Sequence, residues 1–87
     1  MEIKTFLKPV IDLPATGAKI KYLRKLNGFS VREVQAVFGF EYPQAIYAWE
    51  SGKTLPSVDN LLILSELFRA EISEIIVRSS FRAQKSA

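Results

Sequence analysis

Residues 30–52 read SVREVQAVFGFEYPQAIYAWESG, and the fold turns on how this stretch is divided. Ser30 followed three residues later by Glu33 is a capping box, in which the hydroxyl accepts from the Glu33 N–H and the carboxylate accepts from the Ser30 N–H. Val31, Val34, Val37 and Phe38 then recur at i, i+3 and i+4 spacing, which predicts a helix with one buried stripe, stopped early by Gly39. A helix this short is unstable alone and has to dock on others. Pro43 suits the first position of a second helix. On a wheel of about 100° per residue, Tyr42, Ile46 and Trp49 fall on the core side, and Gln44, Tyr47, Ala48 and Ser51 on the other. Gly52 then stands where a helix leaves through the left-handed region that glycine tolerates.

The exit from this stretch, Gly52-Lys53-Thr54, matches the end of a phosphate-binding loop. That loop requires G-x-x-x-x-G-K-[ST], because bare backbone N–H groups wrap the phosphates. Tyr47 occupies the first glycine position, and residues 43–49 read as helix where the loop needs a preceding strand. Gly52 is therefore expected to end a helix.

Outward from the centre, Ile20, Leu23 and Leu26/Asn27 recur until Gly28 and predict a first helix over roughly residues 15–27, with Lys19, Lys21 and Lys25 on its other faces. Beyond Pro56, Ser57 is an N-cap for an apolar fourth helix carrying Val58, Leu61, Leu62, Leu64, Leu67 and Phe68. A short fifth helix places Ile72, Ile75 and Ile76 inward. The expected fold is all-α, five helices over residues 15–78, with an irregular arm at 1–14 and a polar tail at 79–87 interrupted by Phe81. The arm is partly β-prone over residues 3–11, but Pro9 limits its pairing.

The totals exclude more than they identify. A chain of 87 residues makes one small domain, burying about 60–65% of the surface its unfolded form exposes. It has neither cysteine nor histidine, so the commonest general base and the commonest zinc ligands are missing. The expectation is a protein that is not an enzyme, with no cofactor and no metal. The net charge is +3; residues 1–53 hold eight Lys/Arg against five Asp/Glu, and residues 54–87 hold four of each. A one-sided basic surface, here centred on Lys19, Lys21, Arg24 and Lys25 with Arg32 and Lys53, is the footprint of a polyanion partner; the plain alternative is a solvated helix face. No apolar run approaches the ~18–20 residues of a membrane span, and no secretion signal is legible at the N-terminus. Leu13-Pro14-Ala15-Thr16-Gly17 spells a cell-wall sorting signal, yet it stands far from the C-terminal context that signal needs, so the match is taken as coincidence. The cytoplasm is the expected location.

Two short helices joined by a tight turn with a glycine, the second with a small-polar outer face, form the helix-turn-helix pattern at about residues 30–51. The stretch from Gly17 to Val77 resembles the Cro/phage-repressor (XRE) family through IKYLRKLNGFS, SVREVQAVFG, IYAWESGKTLPSVDNLLILSELF and ISEII, in that order and spacing. The resemblance implies a lambda-repressor-like DNA-binding domain whose third helix enters the major groove. It implies that Arg24 and Glu50 are the family's ion pair, tying the first helix to the end of the third. It implies base-facing roles for Gln44, Tyr47 and Ala48, a phosphate contact for Lys53, and a DNA-binding set completed by Ser30, Arg32, Tyr42 and Ser51. Gln suits a bidentate contact to adenine, and an Ala methyl can meet a thymine methyl.

Three positions depart from the family pattern. The turn before the third helix is one residue longer, Gln35 replaces a small residue, and Val31 stands where many members carry Gln. The longer turn leaves open which of Glu41, Tyr42 and Gln44 leads into the DNA. The expected function is a sequence-specific transcription regulator, with repression the expected mode, acting as a homodimer on a palindromic double-stranded operator. The rival reading is an antitoxin-type or other protein-binding module that meets a protein partner through the arm or tail. Helix 5, Phe81 and the arm are the candidate dimer contacts.

Overall fold

The structure is a computed structural model that describes residues 3–86 of the chain, with side chains described from residue 6 to residue 79. The order of elements is β1 (Ile3–Ile11), α1 (Leu13–Leu26), α2 (Val31–Phe38), α3 (Gln44–Glu50), α4 (Val58–Phe68), α5 (Ile72–Ile75) and β2 (Arg78–Ser86). All five helices stand where the sequence places them, but the chain is not strictly all-α. β1 and β2 pair antiparallel in one two-stranded ribbon, from Ile3 opposite Ser86 to Ile11 opposite Arg78. The segments expected to be an irregular arm and a polar tail are thus each other's partners.

Helices α1, α2 and α4 begin where a side chain satisfies a backbone N–H that the first turn leaves unpaired. Asp12 caps α1, its carboxylate accepting from the Ala15 N–H at 3.0 Å, so α1 starts two residues earlier than expected, with Pro14 in its first turn. Ser30 and Glu33 form the capping box of α2. Ser57 caps α4. α3 has no side-chain cap; Pro43 stands just before it.

The core consists of Ile20 and Leu23 from α1, Val34 from α2, Ile46 and Trp49 from α3, Leu61, Leu64 and Phe68 from α4, and Ile75 from α5. Phe29, Val31, Phe38, Leu67, Ile72 and Ile76 are partly buried against it. Val37, predicted inside, is exposed, and so are Leu26, Val58 and Leu62 of the other apolar patterns. Helical periodicity gives the centre of an apolar stripe and not its width. In α4 the inner line of Leu61, Leu64 and Phe68 fills the available space, and Val58, Leu62 and Ile63 are left in solvent.

α1 crosses α3 at Gly17, where a Cβ would run into the Trp49 carbonyl oxygen and stand 2.7 Å from that of Glu50 and 2.8 Å from the Gly52 nitrogen. Only a bare backbone permits this approach. Gly52, at φ +77°, faces Pro14 in the same way, and a Cβ there would lie 2.6 Å from the Pro14 Cα. The look-alike sorting motif is therefore the first turn of α1, and its small residues are packing residues.

Candidate nucleic-acid interface

Ile46 and Trp49 are 1% and 5% exposed, which fixes the rotation of α3 about its axis. The opposite face then carries Gln44, Tyr47 and Ser51, all exposed, with Ala48 half-buried between them. Phe38 and Phe40 wedge the buried side: Phe38 and Phe40 stack at 5.1 Å, and each meets the Trp49 ring edge-on, at 5.3 Å and 5.9 Å. Such aromatic pairs add to simple area burial.

Tyr42, assigned to the core side of this helix, is 63% exposed. It lies in the bend at residues 41–43, before α3 begins, so helical phase does not apply to it. Gln35 braces this bend, the turn expected to be longer than in the family pattern. Its Nε2 donates to the carbonyls of Phe40 and Glu41, both at 3.2 Å. Gln35 thus fastens the end of α2 to the bend that leads into α3.

Arg24 reaches from α1 to the end of α3. Its Nε donates to Glu50 Oε2 at 2.6 Å, its Nη2 to Glu50 Oε1 at 3.1 Å, and its Nη1 to the Phe29 carbonyl at 3.0 Å. The two side chains are 9% and 7% exposed. The hydrogen bond to Glu50 raises the Arg24 pKa above its ordinary value, against the opposing effect of burial. The guanidinium remains charged, and the fork geometry holds α3 in register with α1.

A cleft of about 610 Å³ is lined by Lys21, Arg24, Gln44, Tyr47, Ala48, Glu50, Ser51 and Lys53. It gathers five of the predicted contact residues on one surface. Arg32 lines a neighbouring hollow between α2 and α3, together with Tyr47 and Pro43. Ser30 is exposed at the start of α2, with its hydroxyl oxygen already accepting from the Glu33 N–H. Tyr42 borders neither hollow. Lys21, part of the basic run read from the sequence but given no contact role by the resemblance, lines the same cleft.

A helix-turn-helix family model matches residues 20–75, well over half of the chain. The chain belongs to the XRE-type helix-turn-helix family. Among solved structures it is similar to the restriction-modification controller protein C.AhdI from Aeromonas hydrophila, with a TM-score of 0.65 and 25% identity over 74% of this chain and 96% of that one. It is also similar to the DNA-binding domain of BldD from S. venezulae, with a TM-score of 0.63 and 20% identity over 75% of this chain and 96% of that one. The BldD likeness shows the fold alone. No curated protein matches the chain.

Proposed function

We propose that this chain is a sequence-specific, DNA-binding transcription regulator that reads the major groove with α3 and acts chiefly as a repressor. The observation that carries this reading is the outward row of α3, in which Gln44, Tyr47 and Ser51 stand exposed beside Lys53 while Ile46 and Trp49 are anchored behind them. A helix held this firmly at its back can present its front to base edges at fixed height. The match to a family of helix-turn-helix proteins and the likeness to a restriction-modification controller support it. One module of this size makes few phosphate contacts, so the working form is a homodimer on a palindromic operator. With no chemistry to perform beyond binding, the chain is a regulator and not an enzyme, at work in the cytoplasm.

Gln44 specifies a base, adenine by preference, and Lys53 holds the backbone. Selection of bound sequences from a random duplex pool, followed by salt-dependent gel shifts, tests both roles. Gln44→Ala is expected to cost about 1–3 kcal/mol on the selected site and to relax one position per half-site. Lys53→Ala is expected to weaken all sequences alike and to lower the salt slope by about one per subunit. An unchanged selected sequence for Gln44→Ala overturns the base-reading role.

A further inference from the structure

The ribbon of β1 and β2 lies outside the matched residues 20–75, and its charge sets it apart from the helices. β1 carries Lys4 and Lys8, β2 carries Arg78, Arg82 and Lys85, and neither carries Asp or Glu, a formal charge of +5. The intervening residues 12–77 hold seven Lys/Arg against eight Asp/Glu. The basic excess of the whole chain therefore resides in the ribbon. In the backbone register Lys4 stands opposite Lys85. A two-stranded ribbon is marginal in water to begin with. Such an arrangement gains most from a polyanion laid along it.

The root of the ribbon is fixed beside the proposed interface. The Asp12 N–H donates to the Val77 carbonyl at 2.9 Å. The buried Thr16 hydroxyl both donates to that carbonyl, at 3.2 Å, and accepts from the Val77 N–H, at 2.9 Å. Pro14, between these anchors, abuts Gly52, the neighbour of Lys53. The ribbon thus leaves the body at the end of α3 where Lys53 stands. Nine residues per strand at ~3.3 Å each span roughly 30 Å, close to one turn of duplex DNA.

The open edges discourage pairing with another copy. Because the Asp12 N–H points across the ribbon to the Val77 carbonyl, alternation along the ladder puts the backbone polar groups of odd-numbered β1 residues on the free edge. Pro9 occupies one of those positions and offers no N–H there. Proline and basic residues at an edge are devices that keep strands from adding to it, and two ribbons of this charge repel.

We infer that the ribbon is a second DNA-binding element, gripping the phosphate backbone of double-stranded DNA that flanks the half-site read by α3, without regard to its sequence. The inference rests on the DNA-binding reading above. Its test compares two duplexes carrying the selected operator, one ending at the half-sites and one extended by about one turn on each side. Each is titrated with the wild-type chain and with the variant K4Q/K8Q/R78Q/R82Q/K85Q, while Trp49 fluorescence checks that the body stays folded. Neutralising about three further phosphates steepens the salt slope on the long duplex by nearly three, so the advantage of flanks shrinks about 40-fold between 50 and 200 mM salt. The variant is expected to bind the short duplex as the wild type does and to lose the advantage of the long one. Equal affinity of the wild type for both duplexes, or a variant that keeps the advantage, overturns the inference while leaving base reading by α3 intact. Absence of binding to either duplex overturns the DNA-binding reading and this inference together. A dimer that Gln84→Pro on the β2 edge dissociates, with no effect of flanks, identifies the ribbon as a self-pairing surface and also overturns it.

Discussion

The helical body and the ribbon are built on opposite terms. In the body, side chains from all five helices close over one core, and among the described residues no buried side-chain polar atom is left without a partner. In the ribbon, Phe6, Leu7, Val10 and Ile11 are exposed, and the strands share a charge of one sign. The body is held by shape, the ribbon by its own ladder and by the few bonds at its root. A protein that must present a rigid reading head and also grip a long polyanion gains from keeping these properties apart.

The comparison breaks most severely at Gly17. A methyl group there meets backbone atoms of α3 and cannot be accommodated by a turned side chain. Gly17→Ala is expected to destabilise the body by about 3 kcal/mol, the upper end for overpacking, read as a lowered urea midpoint of Trp49 fluorescence. A loss under about 1 kcal/mol would mean that α1 and α3 can separate without cost.

The Arg24–Glu50 fork is the next test of the body. Removing the Arg24 side chain leaves a nearly buried carboxylate without its partner, so Arg24→Met alone is expected to cost about 3 kcal/mol, and the double variant with Glu50→Leu distinctly less. Equal losses in the single and double variants would make the fork a surface ion pair of little consequence.

At the boundary between the two regions, Thr16→Val keeps the shape of the side chain and removes both hydroxyl bonds to Val77. The Val77 carbonyl keeps the Asp12 N–H, but the Val77 N–H is left unpaired, which is expected to cost about 1–2 kcal/mol. The loss should appear as faster hydrogen exchange at Asp12 and along β1, with the amides of α3 little changed. Uniform acceleration across the chain would show that ribbon and body unfold as one unit.

What could be read in advance was mostly local. Ser30 with Glu33, Ser57, Gly39 and Gly52 act on backbone groups within a few residues of themselves, so their roles need no knowledge of the rest of the fold. Ile46 and Trp49 were legible for the same reason, as one face of one short helix. Tyr42 was misplaced because helical phase was carried across Pro43 into a bend. Thr16 and Gly17 were missed because small residues announce a close approach only once the approaching strand or helix is known. The pairing of β1 with β2 joins opposite ends of the chain, and neither strand alternates cleanly enough to demand a partner. Charge was obscured in the same way. Divided along the chain, residues 54–87 balance to zero, whereas the fold returns the basic residues 78–86 to the basic residues 3–11.

The smallest effect concerns the capping box, and it sharpens the comparison because it separates an exposed charge that serves the body from those of the ribbon. The Glu33 carboxylate accepts from the Ser30 N–H at 2.9 Å. This backbone hydrogen bond first, and the Ser30 side chain second, hold its pKa below the usual carboxylate value. The folded state therefore binds a proton less readily than the unfolded one. The stabilisation is complete above the unfolded carboxylate value and is lost as the pH falls through the lower, folded value. Glutamine at this position keeps the reciprocal bond but has nothing to titrate. Glu33→Gln is accordingly expected to leave stability near neutral pH almost unchanged and to flatten its decline across the acid window, measured as urea midpoints at successive pH values. A decline of identical steepness in both proteins would mean that the capping bond persists with a protonated carboxyl, and that acid acts on the body elsewhere.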